Sequence, residues 1–147
     1  MHFLLLLIFK FLIFNNIQKP EIAQLEANQK SLEIIVTGIE NQKGMILLNL
    51  FNSEEGFPGE REKAYKSLEQ KIVNNKVTLF INDLPEGKYA ASVIHDENNN
   101  RKLDTNFKGV PKEGYGASNN VKKMFRAPRF DEASFEIGED LTKIEIE

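Results

Sequence analysis

The stretch that decides the fold is Val77-Thr78-Leu79-Phe80-Ile81-Asn82-Asp83-Leu84-Pro85-Glu86-Gly87-Lys88-Tyr89-Ala90-Ala91-Ser92-Val93-Ile94-His95. Val77, Leu79 and Ile81 alternate, with polar Lys76, Thr78 and Asn82 between and beside them. A period of two places every second side chain on one face of a strand. Leu84-Pro85-Glu86-Gly87 then reads as a turn, because Pro presets one dihedral and Gly supplies a positive one. Lys88 to His95 resumes as a second strand.

The same pattern continues outward in both directions. Leu32, Ile34 and Val36 alternate, and Gly38 with Asn41-Gln42-Lys43-Gly44 marks the next turn. Met45 to Phe51 is nearly all apolar, as in a central strand covered on both faces, so its inward face stays open. Downstream, Ala133–Ile137 and Leu141–Ile146 predict a closing hairpin around Gly138-Glu139-Asp140. Only Glu60–Leu68 predicts a helix, about two turns long. The class expected is all-β: an antiparallel β-sandwich of about seven strands with one short helix. Leu32, Ile34, Val36, Val77, Leu79, Ile81, Tyr89, Ala91 and Val93 are expected to face the core.

The chain has 147 residues, 41% hydrophobic and 28% charged, which suits one domain. Nineteen basic and 22 acidic residues leave a net charge of -3 and disfavour nucleic acid or anionic membrane as a partner of the whole surface. Cysteine is absent. That excludes disulfides, thiolate zinc sites, a Cys nucleophile and a lipidated N-terminal Cys.

Phe3 to Phe14 reads FLLLLIFKFLIF. This run is shorter than the roughly 20 residues a spanning helix needs, and it suits the apolar region of a secretory signal peptide. The expected organisation is a signal peptide at residues 1–27, followed by a single sandwich domain at residues 28–147. The mature protein is then periplasmic or extracellular and has no membrane span.

Three stretches carry a resemblance. They are Leu50-Phe51-Asn52-Ser53-Glu54-Glu55-Gly56-Phe57-Pro58, Leu84-Pro85-Glu86-Gly87-Lys88-Tyr89-Ala90, and His95-Asp96-Glu97-Asn98-Asn99-Asn100-Arg101-Lys102-Leu103-Asp104. The last runs on through Thr105-Asn106-Phe107 and Pro111-Lys112-Glu113-Gly114-Tyr115-Gly116 to Ser118-Asn119-Asn120. Together they resemble the exported bacterial family called domain of unknown function 2141, over about residues 31 to 146. The resemblance implies a transthyretin-like or immunoglobulin-like sandwich outside the cytoplasm, and no activity. The chain departs from the family pattern at Asn99 or Arg101, where Gly is common.

Asp96-x-Asn98-x-Asn100 with Asp104 places oxygen side chains at positions 1, 3, 5 and 9 of a calcium-type loop, with the Lys102 carbonyl at position 7. Calcium is therefore the one candidate cofactor, and such a site would bind it weakly. Position 6 is Arg101 rather than Gly, and position 12 is Phe107 rather than Glu. The alternative is an Asn-rich turn.

Lys108 to Phe130 holds six basic residues against one acid, Glu113, a local +5. Phe107, Lys108, Lys112, Tyr115, Lys122, Lys123, Arg126 and Arg129 are the candidate ligand-binding residues. An anionic polysaccharide or another envelope component is the partner such a patch would hold. The alternative is a solvated face with the aromatics tucked inward. The long stretch 104–120 reads equally as a binding loop or as a packed Ω-loop.

No nucleophile motif accompanies His95, the sole His after the signal segment, and Ser118 lacks the elbow pattern. The expected function is a non-catalytic exported module that binds a ligand, glycan or partner at its loops. The alternative is a hydrolase of envelope or extracellular glycans or esters.

Overall fold

The structure is a computed structural model, and it describes residues 30–123 and 126–147. The apolar run at residues 3–14 and the boundary expected at residue 27 lie outside the described residues. In chain order the strands are β1 (Lys30–Val36), β2 (Met45–Phe51), β3 (Lys66–Lys71), β4 (Val77–Leu84), β5 (Gly87–Asp96), β6 (Tyr115–Ala117), β7 (Phe135–Ile137) and β8 (Leu141–Ile146). A four-residue helix, α1 (Phe130–Ala133), precedes β7. The strands form a smaller sheet of order β4-β1-β8 and a larger one of order β3-β2-β5-β6, with β7 pairing β5.

The class read from the alternating segments holds: the molecule is an all-β sandwich. All nine residues expected to face the core are buried in one cluster between the sheets. The open question of Met45–Phe51 also closes. Ile46, Leu48 and Leu50 enter that core. Alternation sends Leu47, Asn49 and Phe51 to the outer face, and all three are buried there too. Phe51 meets Phe57 edge-on at 5.3 Å, and Phe57 meets Phe130 at 6.0 Å. With Ala90, Ala117, Ala133 and Val121 this makes a second, small cluster outside the larger sheet.

Two expectations are corrected. The helix predicted over Glu60–Leu68 is a single 3₁₀ turn at Arg61–Lys63 followed by strand β3. A two-turn helix gains few backbone bonds against its nucleation cost. Pairing along β2 sets Leu68 opposite Leu48 and packs it on the core instead. The predicted closing hairpin does not form either. β7 pairs with Gly87–Tyr89 of β5, whereas β8 lies parallel to β1, with Ile34 opposite Ile144. Gly138–Asp140 therefore carries the chain from one sheet to the other. β8 is held there by its buried Ile146 and by the Ser31 N–H, which donates to the Asp140 carbonyl at 2.9 Å. Among the described residues no helix is long and apolar enough to cross a membrane.

Candidate ligand cleft and the Asp96 loop

β5 ends at Asp96, whose side chain is fully buried. One carboxylate oxygen accepts the Asn100 N–H at 3.1 Å and the other accepts the Arg101 N–H at 2.8 Å. The chain after the strand is thereby curled back on its own end. Asn98 Oδ1 accepts the Asn100 N–H at 3.0 Å, and Asn100 Oδ1 accepts the Lys102 N–H at 2.8 Å. Their amide nitrogens both donate to Asp104, from Asn98 at 2.6 Å and from Asn100 at 3.0 Å. Three of the five residues read as calcium ligands, Asn98, Asn100 and Asp104, thus meet through their side chains, while Asp96 and Lys102 join them through backbone N–H bonds. Arg101 takes φ +61°, the left-handed conformation for which Gly was expected, and Asn99 does the same at +62°. The two N–H bonds to Asp96 offset the cost of that conformation.

Sequence reading missed Glu113. It comes from the segment before β6 and closes the loop from outside. Its two carboxylate oxygens accept the N–H groups of Glu97 at 3.0 Å and Asp104 at 2.9 Å. Position 12, Phe107, is 94% exposed and takes no part.

The Arg101 side chain leaves the loop toward β3. It donates to both oxygens of Glu69, at 2.9 and 3.3 Å. Arg61 Nη2 donates to the same carboxylate at 3.0 Å. The paired guanidinium of Arg101, the nearer cause, and that of Arg61 hold the Glu69 carboxyl below its ordinary value. Glu69 in this way ties two loops together above the outer face of the larger sheet.

Between those loops lies a cleft of about 630 Å³. Leu47 and Asn49 of β2 and Ser92 and Ile94 of β5 form its floor. Pro58–Glu62 forms one wall and Asn100–Leu103 the other, with Tyr115 at the rim. Ser92 donates its hydroxyl to the Pro58 carbonyl at 2.7 Å, and Asn49 Oδ1 accepts from Ser67 at 2.7 Å. The outer face is therefore divided. The aromatic cluster closes the half near Phe51, and the half beside Ile94 stays partly open.

A family model described as an uncharacterised protein conserved in bacteria, domain of unknown function 2141, matches residues 34–145. The chain belongs to this family. No curated protein and no solved structure matches it significantly. The DUF2141 match begins inside β1 and ends inside β8, so it takes in both sheets, the Asp96 loop and the cleft.

The basic, aromatic segment of this DUF2141 chain divides into parts. Lys123, Arg126 and Arg129 gather on Glu132 and Asp131, just beyond the window that reads +5. Arg126 makes two bonds to Glu132, at 2.6 and 2.8 Å, and the Arg129 N–H adds a third at 2.9 Å. These contacts, the Arg126 side chain first, pull the Glu132 carboxyl far below its ordinary value. Lys108 sits over the Phe107 ring at 5.5 Å, on a separate tight turn that Asn106 organises. Lys112 and Lys122 are exposed. Of the eight candidates, Tyr115 alone lines the cleft.

His95 is buried, and its Nε2 bonds to the Lys43 carbonyl at 2.8 Å. Ser118 is buried beside Ala91, four residues back along β5, about 13 Å away at strand rise. The two residues do not meet.

Proposed function

We propose that the chain is an exported, non-catalytic binding module whose ligand lies in the cleft on the outer face of the larger sheet. The cleft itself carries this reading. Its volume falls within the roughly 300–1,000 Å³ of small-molecule sites, and the surface that lines it is more apolar than polar, as such sites are. Its walls are loops held by Glu69 and Asp96, so the shape is set before any ligand arrives. Export rests on the short apolar run at Phe3–Phe14. The test is amide-shift mapping by NMR against neutral and acidic oligosaccharides and small amphipathic acids. Shifts should centre on Asn49, Ser92, Ile94 and Tyr115 and weaken in Tyr115→Ala. Shifts confined to Lys108–Lys112 or Arg126–Arg129 would move the site elsewhere.

A second reading is a weak calcium site at Asp96–Asp104. The convergence of Asn98 and Asn100 on Asp104 favours it. Each Asn Oδ1 has a second lone pair beyond its backbone bond. A cation would take the place of the two amide nitrogens on Asp104, with the Lys102 carbonyl and the Asp96 carboxylate completing a partial oxygen shell. Two carboxylates without a terminal Glu fit dissociation constants of roughly 10⁻⁴–10⁻³ M. Calorimetric titration to about 10 mM calcium should give saturable heat in the wild type and none in Asp104→Ala. Equal heats in both would leave the segment an Asn-rich turn.

A further inference from the structure

We infer that the cleft selects an amphipathic anion, an aromatic or aliphatic body bearing one carboxylate or sulfonate, with Arg61 as its anchor. This rests on the cleft being the binding site. Two guanidiniums, Arg61 and Arg101, share the one carboxylate of Glu69. Arg101 uses both carboxylate oxygens, which leaves Arg61 bound through Nη2 alone. Its Nη1 is enclosed and has no partner among the described residues. An enclosed donor without an acceptor is costly, and a guanidinium cannot shed the proton to escape that cost. Arg61 lines the cleft and its side chain is partly exposed, so a small rotation of the guanidinium would present Nη1 to an acceptor in the cleft; a charged planar acceptor suits the guanidinium fork best.

The rest of the cleft defines what accompanies that anion. Ile94 and Leu103 offer apolar contact, and Tyr115, half exposed, offers a ring face. The floor's polar groups are largely occupied: Ser92 by the Pro58 carbonyl, and Asn49 Oδ1 by Ser67. An extended polar ligand would find few partners along that floor. Lys102 adds a positive charge at the opposite wall. Glu60 and Glu62 flank Arg61 but are exposed, where water and salt weaken their opposition.

The experiment uses two fluorescent probes of similar body and different charge, 8-anilinonaphthalene-1-sulfonate and neutral N-phenyl-1-naphthylamine. The protein is compared with Arg61→Ala, Arg61→Lys and Tyr115→Ala, each checked for a cooperative melt. The wild type should bind both probes saturably, each displacing the other. Arg61→Ala should weaken the sulfonate about tenfold and leave the neutral probe within about twofold, the scale of one lost charge-assisted contact. Arg61→Lys, which keeps the charge and the fold but not the fork, should fall between, and it carries the test if Arg61→Ala does not fold. Equal loss of both probes, or no loss of either, on changing Arg61 overturns the choice of an anion while leaving the cleft as a site. No saturable binding of either probe, or binding indifferent to Tyr115→Ala, overturns the cleft itself.

Discussion

Ser118 is fully buried, and its hydroxyl accepts the Ala91 N–H at 2.9 Å while donating to the Ala133 carbonyl at 2.5 Å. One side chain therefore joins β5 to the end of α1. Ser118→Ala leaves both backbone groups unpaired in a dry site, and we expect a loss of about 2 kcal/mol in urea unfolding. A loss near zero would mean that the backbone groups find other partners. Gly44 shows the opposite economy at the start of β2. It has φ +65°, and any side chain there would strike the Asp96 carbonyl. Arg101, by contrast, keeps its side chain at a positive φ because that side chain points away to Glu69. A glycine is needed where backbone crowds the Cβ, and is dispensable where only the dihedral is unusual.

α1 is one turn long and has no propensity worth the name. Beside the packing of Phe130 and Ala133, its stability draws on charges at its N-terminus. Glu132 accepts the Arg129 N–H, and Arg126, Arg129 and Lys123 surround its carboxylate. Because the folded-state pKa lies below the ordinary 4.5, this contribution is complete above that value and is lost as pH falls through the acid range toward the folded pKa. The protection factors of the Asp131–Ser134 amides, exchange rates taken relative to the unfolded chain at each pH, should therefore fall on acidification before the sheets open. In Glu132→Gln the protection should already be low at pH 7 and change little with acid.

Strands with one covered face were legible because burial imposes a period of two, as in β1 and β4. β3 was not, because an edge strand is kept soluble by polar and charged residues: Lys66, Glu69, Gln70 and Lys71 hide the single inward Leu68. The Asp96 loop was legible as a curled oxygen-rich segment, since its bonds are local. The cleft was not, because its floor comes from β2 and β5 and its walls from loops about 40 residues apart, which only the pairing of strands brings together.

At the scale of the whole molecule, the smaller sheet depends on β8. β1 has β4 on one side and β8 on the other, and Ile146 is fully buried beneath them. Ile146→Ala should cost about 3 kcal/mol in urea unfolding, within the range for large aliphatic side chains in cores. The loss should spread over both sheets, because Ile146 also lies against Gly116 of β6. A small, local loss would show that the sheets unfold separately.

The parallel partnership of β1 and β8 also bears on timing. Ile34 waits for Ile144, and Lys30 for an ion pair with Asp140, its partner 110 residues further along the chain. During synthesis β1 is half-paired until almost all the described chain has followed it out, so the sandwich closes late and slowly, as distant pairings do. For the exported module proposed above, such a delay would keep the chain open while it is threaded through a pore.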